Sequence, residues 1–301
     1  MASQAGRATI QQIGRSDQDY AHPMTDDATT DTAPRADLTG WVRTPFTGGG
    51  VTHDRFEKGS GPGVVLIPEL PGLTPEVLGL AEHLVAEGFT VAIPSPFGTP
   101  GHEGTLGYTL ASVSKVCVSA EFKAFATGAH RPVADHVRAL AADLAARTPG
   151  PGVGVIGMCF TGGFALAAAV DEHVLASVMS QPSTPFPVSR ARRIDPGMSA
   201  AEFDAVAARA AQGSVCALGL RFSEDRAVPR ERFSTIAAKL GDAFEVIELD
   251  SSPGNAAGFA KTAHSVLTGE VRERDGHPAL EARKRVVAFL RERLATPATQ
   301  A

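Results

Sequence analysis

The stretch Val153-Gly154-Val155-Ile156-Gly157-Met158-Cys159-Phe160-Thr161-Gly162-Gly163 decides how this chain is read. Its first half is apolar and β-branched. It breaks at a glycine, presents one cysteine and runs on into an Ala-rich segment, as a buried strand turning sharply into a helix does. A nucleophile held at such a corner projects into a cleft with a helix N-terminus beneath it. A thiol there gains twice: the helix end favours the thiolate, and the next residue's N–H points to where an oxyanion would form. Cys159 could instead be a small buried hydrophobe between a core strand and its helix. Gly157, Gly162 and Gly163 argue for the corner, because glycine weakens a strand or helix and is needed where the backbone turns tightly.

Outward from this corner, short β-rich runs alternate with amphipathic stretches from residue 51 onward, the pattern of an α/β fold with a mostly parallel central sheet flanked by helices. Strands are expected at 64–67, 89–93, 153–156, 174–179, 215–220 and 244–249. Helices are expected at 75–87, with Thr74 as cap and Gly88 as stop, and at 132–147, 160–170, 199–211, 229–240 and 278–294. The segment 95–131 shows no clear period and lies between a strand end and a helix, so it is placed to form a lid-like insertion over the carboxyl edge of the sheet. Residues 1–45, rich in Gln, Asp, Thr, Ala and Pro, look like a disordered acidic tail, leaving 46–301 as one catalytic domain.

The 301 residues are 43% hydrophobic, enough for one substantial core. With 28 basic and 33 acidic residues, one Trp and two Tyr, nucleic acid is not an expected partner. The three cysteines, Cys117, Cys159 and Cys216, are widely spaced and odd in number. They fit a reducing compartment rather than a disulfide framework and lack the paired spacing of a zinc site. No run has the length of a membrane span, and the N-terminus lacks a signal-peptide pattern, so a soluble cytoplasmic protein is expected, with its oligomeric state open.

A cysteine nucleophile needs a base, and the base needs a group to orient it. In α/β-hydrolases the chain order is nucleophile, acid, histidine. Here Cys159 is followed by Asp225, just beyond the strand at 215–220, and by His264 in a loop with Pro253, Gly254 and Gly258. Glu224 and Asp250 rival Asp225, and His277 rivals His264. Glu69 is the unusual residue: it follows a buried strand in Ile67-Pro68-Glu69-Leu70-Pro71-Gly72, where partial burial would let it exchange a proton with the thiol. The alternative for Glu69 is a simple surface turn.

The elbow Gly157-Met158-Cys159-Phe160-Thr161-Gly162, the loop Pro68-Glu69-Leu70-Pro71-Gly72 and the ordered Asp225 and His264 together resemble the dienelactone hydrolase family, a cysteine branch of the α/β-hydrolases, over residues 51–294. The resemblance implies Cys159 as nucleophile, His264 as base, Asp225 as its orienter, Glu69 as partner of the thiol proton, and the Leu70 and Phe160 N–H groups as the oxyanion hole. It implies attack on a lactone or ester carbonyl, an acyl-enzyme cleaved by water, and no metal or organic cofactor. Two departures concern substrate. Thr161 stands where the family commonly has glycine, and the arginines that hold a substrate carboxylate in better-known members have no clear counterparts. Lys115, Lys123, Arg131, Arg221 and Arg226 are the basic candidates. The lid run Cys117-Val118-Ser119-Ala120-Glu121-Phe122 resembles a branch without an assigned substrate. Glu121, Lys123 and Arg221 are therefore the substrate-binding candidates. The same elbow would also serve a tailoring enzyme that lactonises, cyclises or transfers an acyl group, or a catalytically silent ligand-binding or redox-sensing protein.

Overall fold

The computed structural model describes residues 10–13, 31–122 and 126–295. Strands β1 (Ile10–Ile13), β2 (Val42–Gly48), β3 (Val51–Lys58), β4 (Gly63–Ile67), β5 (Thr90–Ser95), β6 (Val153–Met158), β7 (Val174–Ser180), β8 (Cys216–Phe222) and β9 (Phe244–Leu249) form one sheet in the order β1-β9-β8-β7-β6-β4-β5-β3-β2. Pairing is parallel from β1 through β5; β3 runs antiparallel to β5, and β2 to β3. The helices are α1 (Pro75–Ala86), α2 (Leu106–Val118), α3 (Pro132–Arg147), α4 (Gly162–Ala168), α5 (Arg190–Ile194), α6 (Ala200–Ala211), α7 (Arg230–Leu240) and α8 (Pro278–Leu294).

The central strands are buried along almost their whole length, and mostly apolar, because both sheet faces are covered. Val64 and Leu66 of β4, Ile156 and Met158 of β6, and Leu218 and Leu220 of β8 pack with α1 and α8. The alternate positions, Val65 and Ile67, Val153 and Val155, and Ala217, pack with α3, α4 and α7. Neighbouring β4 and β6 hand the chain to opposite layers: β4 leads to α1 on one face, β6 to α4 on the other. Their carboxyl ends therefore border a crevice at the switch point of the sheet, where open parallel sheets bind ligands. This is an α/β-hydrolase arrangement with a helical insertion placed as a lid.

The expected central strands and large helices are present with ends moved by one or two residues, and four features differ. First, β5 runs through Pro94, which pairs with Arg55 of β3 beyond the last β4 partner, Ala92. A proline is tolerated there because only one neighbour remains. Second, the elbow opens as a 3-10 turn over Cys159–Thr161, and α4 ends at Ala168 rather than near 170. Third, the lid segment carries the helix α2, with the Thr105 hydroxyl accepting the Tyr108 N–H at 3.4 Å. Fourth, the folded domain begins before residue 46. Ile10–Ile13 pairs with β9, Trp41 is buried in the α1/α8 layer, and β2 joins β3 through Gly49 and Gly50, both at positive φ as a two-residue type I′ hairpin requires. The remainder of the expected tail, 1–9 and 14–30, lies outside the described residues.

Candidate active site

Cys159 directly follows β6 and has φ +52°, a left-handed conformation that a non-glycine residue rarely holds. The surrounding glycines permit it. A Cβ on Gly157 would lie 2.4 Å from the Thr161 carbonyl oxygen, and one on Gly162 would lie 2.7 Å from Pro182 Cα. Thr161, the departure from the family pattern, does not narrow the cleft. It is fully buried, its hydroxyl accepts the Met158 N–H at 3.0 Å, and it lies 3.2 Å from the carbonyls of both Ile67 and Pro68. One hydroxyl thus ties the elbow to the loop that carries Glu69.

His264 stands between Asp225 and Cys159. Its Nδ1 lies 2.6 Å from Asp225 Oδ2, and the ring lies within electrostatic range of Cys159. The Asp225 turn is fixed in its own right, since Oδ1 accepts the Ala227 N–H at 2.9 Å. Burial by itself would lower the His264 pKa. Its interactions with Cys159 and then with Asp225 outweigh burial and carry it up to about 11. The rivals lie elsewhere: Glu224 is 3.7 Å from Lys261, Asp250 accepts the Ser252 N–H at 2.9 Å, and His277 stacks edge-on against Phe259 at the start of α8.

Glu69 is a buried carboxylate with three donors. The Gln181 amide donates to Oε2 at 3.0 Å, the Ser265 hydroxyl to Oε2 at 2.9 Å, and the Thr268 hydroxyl to Oε1. The simple surface turn is thereby excluded. The Cys159 sulfur lies 3.6 Å from the Ser183 hydroxyl, and among the described residues no hydrogen bond joins it to Glu69. A second carboxyl, that of Glu270, is raised in pKa by burial and lies within electrostatic range of Arg272 and His264.

The proposed oxyanion donors follow from the two loops. Phe160 N–H begins the elbow turn, and Leu70 follows Glu69 with its side chain packed on the same cluster as Cys159. Phe160 is ringed by aromatic side chains: Phe122 at 5.4 Å, Phe164 at 5.9 Å, Phe186 at 6.1 Å and Phe97 at 6.3 Å between centroids.

The substrate-binding candidates fare differently. Arg221 is buried, paired with Glu248, and donates to the carbonyls of Val228 and Ser223 at 3.1 and 3.2 Å, so its guanidinium is engaged away from the elbow. This corrects the expectation that it meets substrate: its position one residue before the end of β8 turns it to the α7 side. Glu121 pairs with His53 at 2.7 Å and fastens the lid to β3 instead of pointing to the sulfur. Lys123 lies outside the described residues. Gln181, Ser183, Ser265 and Thr268 had no sequence reading. For Gln181 and Ser183 the signal was the polar, proline-spaced run Ser180–Pro185 at the carboxyl end of a buried strand, the same kind of context that singled out Glu69; Ser265 and Thr268 carried none.

Among the described residues, no group of three or more His, Cys, Asp and Glu is placed to hold a metal ion, and no helix is long and apolar enough to cross a membrane. Among solved structures, a dienelactone hydrolase-like promiscuous phosphotriesterase from metagenomic libraries is 16% identical with TM-score 0.58, covering 85% of this chain and 98% of that one. A dienelactone hydrolase from Anabaena variabilis is 13% identical with TM-score 0.52, covering 85% and 98%. The 2,6-dihydroxy-pseudo-oxynicotine hydrolase is 15% identical with TM-score 0.50, covering 86% and 70%. At these identities the likeness is one of fold. No curated protein matches the chain by sequence. The model of the dienelactone hydrolase family matches residues 52–294, the whole sheet from β3 onward together with the elbow, Asp225 and His264, and the chain is a hydrolase-fold enzyme that belongs to that family.

Proposed function

We propose that the protein is a cofactor-independent hydrolase of a lactone or activated carboxylic ester, working through Cys159, His264 and Asp225 by way of an acyl-enzyme. The observation that carries this reading is the Asp225–His264 hydrogen bond within electrostatic range of Cys159, which sits at a positive-φ corner at the crevice of the sheet. The Cys159 sulfur attacks the carbonyl carbon, and the carbonyl electron pair moves onto oxygen, facing the Leu70 and Phe160 N–H groups. The tetrahedral species collapses as the leaving alkoxide or enolate takes the proton from His264. Water then gives a proton to His264, attacks the thioester, and the C–S electron pair returns to sulfur. Asp225 keeps the ring oriented throughout and stabilises the imidazolium whenever it forms.

Glu69 acts in this reading as a positioning residue. Through Ser265 and Thr268 it grips the loop that carries His264, and proton exchange with the thiol would require it to leave those donors. A reduced, cytoplasmic setting belongs with the reading, because Cys159 must remain a thiol to act.

Turnover of a chromogenic ester and of a small panel of unsaturated lactones, compared between wild type and Cys159→Ala, tests the proposal. Loss of turnover in the variant is expected. Turnover that survives it removes Cys159 from the mechanism.

A further inference from the structure

Ser183 is almost fully buried just past β7, and its two polar groups both face Cys159. Its N–H donates to the Cys159 carbonyl at 2.9 Å, and its hydroxyl lies 3.6 Å from the Cys159 sulfur. Among the described residues that sulfur is the only partner of the hydroxyl. The backbone that delivers it is clamped. Arg232, fully buried, donates to the carbonyls of Pro182 and Pro185 on either side, and Pro182 packs against Gly162 so closely that a Cβ there would clash.

The direction of the bond follows from the mechanism: an ionised sulfur has no proton to give, so the serine O–H is then the donor. We propose that Ser183 is a further catalytic residue, whose hydroxyl donates a hydrogen bond to the Cys159 sulfur and stabilises its thiolate whenever the sulfur is ionised. The assignment rests on the Cys159 mechanism above. When the sulfur's electron pair forms the S–C bond, its charge passes to the carbonyl oxygen, and a neutral thioester sulfur is a poor acceptor. During hydrolysis the C–S pair returns to sulfur, and Ser183 meets the thiolate as it leaves. Ser183 therefore favours ionisation of the thiol at rest and expulsion of the thiolate in deacylation. The charged groups near this pair are His264 with Asp225 and, behind them, Glu270, together with Arg232 on the carbonyls flanking Ser183 and Glu69 on Gln181 and Ser265.

The experiment is the pH profile of iodoacetamide alkylation of Cys159, joined to burst kinetics with p-nitrophenyl acetate, for wild type, Ser183→Ala, Ser183→Thr and Ser177→Ala. The backbone bond from residue 183 to the Cys159 carbonyl survives every substitution. In Ser183→Ala the acid limb of alkylation should move up by about one pH unit, a roughly tenfold loss of rate below the limb. Steady-state turnover should fall more than the burst, so that acyl-enzyme accumulates. Ser183→Thr, which keeps a hydroxyl, should restore the limb. Ser177→Ala removes a fully buried β7 hydroxyl that has no partner, and should leave the limb in place. A Ser183→Ala limb that coincides with wild type while turnover still depends on Cys159 overturns the assignment alone, as does an equal shift in Ser177→Ala. Turnover that persists in Cys159→Ala overturns the parent mechanism and this assignment with it.

Discussion

Single hydrogen bonds set the state of the reacting groups in this site, and two of them make separate predictions. Asp225 is one of the groups that lift the His264 pKa to about 11 against burial. Removing its charge in Asp225→Asn lowers that pKa, so the alkaline limb of kcat/KM moves to lower pH, and activity near neutrality falls by about two to four orders of magnitude. An alkaline limb that stays where wild type has it would dissociate Asp225 from His264. Thr161 makes a structural prediction. Thr161→Val keeps the shape but leaves the buried Met158 N–H without its side-chain acceptor and unties the elbow from the Glu69 loop. Urea titration should show a loss of about 1–3 kcal/mol, whereas an unchanged midpoint would mean that the backbone alone holds the corner.

Among the secondary-structure elements, α6 shows how a helix end becomes an electrostatic joint. Ser199 and Glu202 form a capping box, and Glu202 also meets His130 and Arg138 at 2.7 Å each, joining α6 to the segment leading into α3 and to α3 itself. Burial alone would raise the Glu202 pKa; its bonds to Ser199, His130 and Arg138 outweigh this and hold it at about 2. A carboxyl lowered on folding contributes stability present above its unfolded value, about 4.5, and lost as pH falls toward 2. Wild type should therefore lose on the order of 1–2 kcal/mol more than Glu202→Gln between pH 5 and 3. Parallel pH profiles for the two proteins would contradict this.

The same scale shows what could be read from sequence. β4, β6, β7, β8 and β9 were legible because burial on both faces makes them predominantly apolar and β-branched runs. β2 was not, since Val42–Gly48 lies at the sheet edge with alternate residues exposed, and nothing apolar marks it. Cys159, Asp225 and His264 were legible from their order and their places at strand ends. The donors to Glu69 and the hydroxyl beside the sulfur were not, because they depend on which loops the sheet brings together. Arg221 was misread because alternation along β8 decides which side of the sheet a side chain serves.

For the whole molecule, the N-terminal hairpin is part of the hydrolase domain, and the protein carries its own reporter of this. Trp41, the chain's one tryptophan, packs in the layer with α1 and α8 and donates to Glu82 at 2.6 Å. Its fluorescence should change in a single transition coincident with loss of far-UV circular dichroism; an earlier fluorescence transition would show the hairpin to be an appendage. The central claim spans the full depth of the fold, since β6, β8 and the loop after β9 must converge for the sulfur to act. The most direct test is intact-mass and peptide mapping of wild type and His264→Ala quenched in acid during turnover of an activated ester. The account predicts one acyl group per chain, on Cys159, in wild type and its loss in His264→Ala. An acyl group on another residue, or turnover with no covalent species at any quench time, would contradict it.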